Sequence, residues 1–105
     1  MMLNEGKIGI FDSGVGGLTV YKQIRKAFPE NKIVYFGDTA RVPYGPKSID
    51  TIIRYSIQNA EFLMTHEVSL IVIACNTSSA VALETLQRRF NIPVIGTVGA
   101  AANVA

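Results

Sequence analysis

The chain has 105 residues, with ten basic and eight acidic side chains and a net charge of +2, and no Lys/Arg run that resembles a nucleic-acid footprint. Hydrophobic residues make up 49% and charged residues 17%, the balance of one packed domain over residues 1–105 rather than a disordered tail or acidic scaffold. One cysteine excludes an internal disulfide framework, the first residues lack a signal-peptide core, and no apolar stretch reaches the ~20 residues of a membrane helix, so a cytoplasmic protein without membrane or nucleic-acid partners is expected.

Residues 7–11 (KIGIF) read as a short buried strand that ends in Asp12-Ser13-Gly14 and a glycine cluster. Helical periodicity follows, with Leu18, Tyr21, Ile24 and Phe28 on one face and Pro29 as the stop signal. Residues 32–37 (KIVYFG), β-branched and aromatic, predict a strand buried on both faces that ends at Asp38-Thr39. Residues 40–47 (ARVPYGPK) hold two prolines and a glycine, too many breakers for a regular element. Ser48 then serves as N-cap for a long helix with Ile49, Ile52, Ile53, Ile57, Ala60, Leu63 and Met64 along one side. His66, near the end of that helix, reads as a solvent-facing or capping residue.

Residues 69–74 (SLIVIA) form the most apolar strand, and the polar cluster from Cys75 to Ser79 is suited to cap the next helix. That helix carries Ala80, Leu83, Leu86 and Phe90 as its stripe, and residues 92–96 (IPVIG) give a fourth strand with Pro93 near its start. Residues 97–105, with four alanines, read as the beginning of another helix. The order βαβαβαβ implies an α/β fold: a doubly wound, open parallel sheet of about four strands with helices on both faces.

Ligands of such sheets bind beyond the carboxyl ends of the strands. The turns there offer Asp12, Ser13 and Gly14, then Asp38, Thr39 and the Pro43-Tyr44-Gly45 loop, then Cys75, Asn76 and Thr77. Helix N-termini give this edge a positive potential that suits an anionic small molecule. Cys75 has two readings. A lone cysteine after an apolar strand is commonly a small buried hydrophobe. One just ahead of a helix N-terminus has its thiolate stabilised by the amides in front of it and can serve as a base.

One cysteine and one histidine do not make a closed tetrahedral set, so no metal is expected. The cluster Gly14-Val15-Gly16-Gly17 lacks the third glycine of a dinucleotide fingerprint, where Thr19 stands, and there is no P-loop Gly-Lys-Ser/Thr. Tight turning and close helix approach explain these glycines better, and they also leave room for a ligand. Asp38 reads as an Asx-turn or cap. Asp12 shares the edge with Cys75, where a carboxylate can orient a substrate ammonium. Tyr44, between Pro43 and Gly45, is expected outside the core, at the surface or against substrate.

The segments at residues 12–20 (DSGVGGLTV), 37–45 (GDTARVPYG) and 74–77 (ACNT) together resemble the bacterial glutamate racemases, with the resemblance running from about Lys7 to Gly96. It implies interconversion of L- and D-glutamate for peptidoglycan without pyridoxal phosphate, metal or other cofactor. It also implies Cys75 as one of two catalytic thiols, with Asp12, Ser13, Tyr44, Gly45, Asn76 and Thr77 holding the glutamate substrate. Members of that family are about two and a half times as long, and their second domain brings the other cysteine. This chain would then be one half of an active site and inactive alone. Beyond Gly96 the correspondence stops, with Gly99-Ala100-Ala101 where the racemases usually carry an acidic residue and Pro-Gly. The partners implied are glutamate and the second domain, and an uncovered apolar surface beside the site would favour a homo-oligomer. The alternative from another class is a truncated paralogue that binds an amino acid or regulates a partner without catalysis.

Overall fold

The computed structural model describes residues 6–14 and 16–97. The expected helix start after Thr97 lies outside these residues.

Four strands, β1 (Lys7–Asp12), β2 (Lys32–Gly37), β3 (Val68–Ile73) and β4 (Val94–Gly96), form one parallel sheet in the order β2-β1-β3-β4. Helices α1 (Leu18–Ala27), α2 (Ile49–Met64) and α3 (Asn76–Arg89) make the crossovers, and a short 3-10 turn at Thr39–Arg41 follows β2. The α/β class, the element order and the parallel sheet are therefore as expected. The step from β1 to β2 runs one way along the sheet, and the two later steps run the other way. Right-handed crossovers consequently place α1 on one face and α2 with α3 on the other.

The strand side chains divide accordingly. Ile8, Ile10, Leu70, Val72 and Ala74 pack against Val20, Tyr21, Ile24 and Phe28 of the α1 layer. Phe11, Ile71, Ile73 and Val94 pack against Ala60, Leu63 and Leu86 of the α2 and α3 layer. Period-two alternation in each strand supplies both faces at once. Between α1 and β3 runs a groove of about 360 Å³, lined among others by Thr19, Val20, Gln23, Ile24, Val72 and Ala74.

Several expectations need correction. β2 is an edge strand whose residues from Ile33 to Gly37 are half-buried, because only β1 flanks it. Leu18 and Ile49 are 65% and 61% exposed. Each opens its helix at the carboxyl edge of the sheet, before the helix has reached the strands it packs on. In α3 the expected Ala80 is exposed, while Ser78, Ser79, Ala82 and Leu86 are buried. Small serines let α3 lie close to its neighbours, and their hydroxyls find partners. Ser56 Oγ of α2 bonds Ser78 Oγ at 3.0 Å, and Ser79 Oγ donates to the Ile73 carbonyl at 3.2 Å. Ser48 caps α2 as expected, accepting the Thr51 N–H at 3.1 Å.

Candidate active site

Every turn leaving β1, β2 and β3 brings polar groups to the carboxyl edge of the sheet, in two clusters on opposite faces. The first hangs from β1. Asp12 is 2% exposed, and its Oδ1 accepts the Gly14 N–H at 2.7 Å while its Oδ2 accepts the phenol of Tyr35 from β2. The bond to Gly14 makes an Asx-type turn, and the bond to Tyr35 is one that the sequence did not signal. Ser13 is buried beside it.

Gly14, at φ 107, takes a backbone conformation that L side chains rarely adopt, and a Cβ there would lie 3.0 Å from the Thr39 Cα. The β1 turn therefore rests directly on the β2 turn. Burial first, and then the bond to Asp12 and its charge, push the Tyr35 phenol above its ordinary value, so it remains a proton donor.

The second cluster lies on the α2 side and is centred on Cys75. This residue is the N-cap of α3, 6% exposed, with its Sγ accepting the Ser78 N–H at 3.4 Å. A cysteine in this place satisfies one of the free amides of the helix start with sulfur instead of the usual oxygen. Tyr44 and Ile52 pack with Cys75, and Tyr55 and Val81 flank the group. Asn76 is exposed, Thr77 is half-buried and Gly45 is exposed. The groove beside α1 takes Asn76 into its lining but none of Cys75, Asp12 and Tyr44.

Two sequence readings change here. Tyr44 is not a surface residue: it is 1% exposed, and its hydroxyl donates to Asp38 Oδ2 and accepts from Asn59 Nδ2 at 2.8 Å. Asp38 makes no capping bond. Its Oδ2 also accepts Arg41 Nε at 2.8 Å, and Arg41 in turn bonds Asn59 Oδ1 at 3.2 Å and lies 3.9 Å over the Tyr55 ring. The loop with three breakers is held to α2 by this buried network, which spans residues up to 21 positions apart in the chain. Burial first, and then the bond to Asp38, raise the Tyr44 phenol against the lowering pull of Asn59 and Arg41.

Tyr35, Arg41 and Asn59 were missed by the sequence reading. In sequence Tyr35 is one aromatic of the β2 run, Arg41 lies in the breaker-rich loop, and Asn59 stands beside Ala60 of the α2 stripe. A buried-side asparagine within an apolar helical stripe is the one signal that could have drawn attention.

Among the described residues no helix is long and apolar enough to cross a membrane. The sequence model of the Asp/Glu/Hydantoin racemases matches residues 8–105. The glutamate racemase of Geobacter metallireducens is 60% identical over 91 residues, which are 87% of this chain and 34% of that protein. The solved glutamate racemase of Aquifex pyrophilus superposes with a TM-score of 0.83 at 63% identity, over 86% of this chain and 36% of that one. The crystal structure of the Francisella tularensis glutamate racemase in complex with D-glutamate gives a TM-score of 0.87 at 46% identity, over 98% of this chain and 39% of that one. The chain thus spans little more than a third of the length of the relatives it matches. By this match over nearly its whole length, together with the parallel sheet and its edge of Asp12, Tyr44 and Cys75, the chain belongs to the Asp/Glu/Hydantoin racemase family.

Proposed function

We propose that this chain supplies the Cys75-bearing half of a cofactor-independent glutamate racemase that works in the cytoplasm and provides D-glutamate for peptidoglycan. The observation that carries the reading is the placement of Cys75 as the side-chain cap of α3, with the Ser78 amide aimed at its sulfur. The cap holds the sulfur at the carboxyl edge of the sheet, where a cysteine can serve as the base that removes a proton.

In the reaction the Cys75 thiolate takes the proton from the α-carbon and becomes a thiol. The electron pair left on carbon is drawn into the carboxylate, and a second thiol on the opposite face delivers a new proton. Inversion needs both faces, and this chain has one cysteine. The second base is therefore supplied from outside these 105 residues. Asp12 faces the substrate ammonium with Ser13 beside it, and the start of α3 at Asn76 and Thr77 offers donors to a carboxylate. Tyr44 commits its hydroxyl to Asp38 and Asn59, so it serves as a fixed wall beside Cys75, and Gly45 leaves the loop open toward the substrate.

The test joins this chain to the remaining two-thirds of the Aquifex pyrophilus racemase, in place of that enzyme's matching residues. The hybrid is expected to interconvert D- and L-glutamate while the 105-residue chain alone does not. Cys75→Ser in the hybrid should cost a factor on the order of 10² to 10⁴ in turnover, the usual span for loss of a general base. Sustained conversion by the chain alone, or a Cys75→Ser hybrid of undiminished rate, would overturn the proposal. A hybrid that binds glutamate without turnover would point to the non-catalytic amino-acid-binding reading.

A further inference from the structure

Asp12 sits at the end of β1 with both carboxylate oxygens engaged, one by the Gly14 amide and one by the Tyr35 hydroxyl. The two donors come from different elements, the turn after β1 and the neighbouring strand β2. Tyr35 stands two residues before Gly37, which pairs with Asp12 in the sheet, and its ring is braced edge-on by Tyr21 of α1 at 5.9 Å between centroids and 79° between planes. The space in which phenol and carboxylate meet exists because Gly17 has no side chain. A Cβ there would lie 2.0 Å from Asp12 Oδ2 and 2.2 Å from the Tyr35 hydroxyl. Sheet register, the aromatic brace and the gap at Gly17 thus converge on one hydrogen bond.

We propose that Tyr35 is a positioning residue for Asp12, fixing its carboxylate in the single orientation in which it meets the substrate ammonium. The inference rests on the racemase reading above, since it requires Asp12 to face glutamate. A carboxylate held at one oxygen only still rotates about χ2, whereas one held at both is preorganised. Each oxygen keeps a second lone pair after accepting its bond, so the held carboxylate can still receive an ammonium N–H. The raised titration of Tyr35 is consistent with this role, because the phenol stays a donor throughout the range in which a thiolate base works.

Two measurements test the proposal. The first is made on the 105-residue chain with tyrosine labelled with carbon-13 at Cζ, the Tyr35 resonance being identified by its loss in Tyr35→Phe. In Asp12→Asn that resonance is expected to move, and its ionisation to fall toward the ordinary phenol value of about 10. This measurement tests the bond on which positioning depends, and an unmoved resonance overturns the proposal. The second uses the hybrid racemase. Tyr35→Phe is expected to raise KM for glutamate about tenfold, the equivalent of one hydrogen bond to a charged group. A smaller folded fraction would lower the rate at constant KM, so an unchanged KM also overturns the proposal. A parent hybrid with no turnover sinks the racemase reading, and the role of Asp12 toward glutamate with it. The resonance, read on the chain alone, separates that failure from the absence of the Tyr35–Asp12 bond.

Discussion

Gly17 has an ordinary helical backbone, φ −81 and ψ −11, so its missing side chain answers to space and not to conformation. Its neighbour Gly16 is the reverse case, at φ 80 with nothing within 4 Å of the position a Cβ would take. The two alanine substitutions should therefore act by different mechanisms. Gly17→Ala overpacks the Asp12–Tyr35 pair and is expected to cost about 1–3 kcal/mol in urea unfolding. It should also shift the Tyr35 ring resonances, since the phenol has to leave the carboxylate. Gly16→Ala strains only the backbone, at a cost of roughly 1–2 kcal/mol, and should leave those resonances in place. Equal disturbance of Tyr35 by both variants would mean that the gap at Gly17 is not what admits the pair. Both glycines were visible in the sequence as part of one cluster. Which of them served the turn and which served the packing depended on Tyr35, 18 positions further along the chain.

At the scale of elements, local chemistry fixed the ends and faces of the helices more securely than their depth of burial. Ser48 is readable as an N-cap because Ser suits that place whatever the tertiary surroundings, and its side chain accepts the Thr51 amide as expected. Ser48→Ala should lower stability by about 1 kcal/mol, a fall of roughly 4–8 °C in Tm for a domain of this size. Calorimetry showing no change would mean that water serves the Thr51 amide equally well. Leu18 and Ile49 show where periodicity stops being informative. Each lies at a spacing that matches its stripe, yet each is mostly exposed, because periodicity gives direction around a helix and not whether another element lies at that height. The buried serines of α3 are the converse. In sequence they belong to a polar cluster suited to capping, and the partners that satisfy their side chains, Ser56 of α2 and the Ile73 carbonyl of β3, belong to other elements.

For the whole molecule, two phenols with raised titration set a pH dependence. Tyr35 and Tyr44 are both held as neutral donors to carboxylates, and unfolding returns them to an ordinary value of about 10. The stability they contribute is fully present below that value and is lost as the pH rises past it toward the folded values, where the native state retains protons that the unfolded chain has released. The urea midpoint should therefore fall in the alkaline range above about pH 10. Tyr44→Phe should be less stable at neutral pH, because it leaves Asn59 Nδ2 without its acceptor, and should show a shallower alkaline fall. An alkaline fall of undiminished steepness in Tyr44→Phe would show that this phenol is not held as described.

The alternation of apolar runs and helical stripes was enough to determine four parallel strands and three crossover helices, since parallel strands demand crossovers and crossovers have one hand. It was also enough to bring Asp12, Tyr44 and Cys75 to one edge, because each ends a strand or follows one. Only the tertiary structure decided how they are grouped. Asp12 turns to the α1 face with Tyr35, and Cys75 turns to the α2 face with Tyr44, because side chains alternate across each strand and the register between strands sets which of them meet. The bonds of Tyr35 to Asp12, and of Arg41 and Tyr44 to Asn59, join positions 15 to 23 apart in the chain. They have no local signature, since a polar side chain reads the same in sequence whether water or another residue completes its hydrogen bonds.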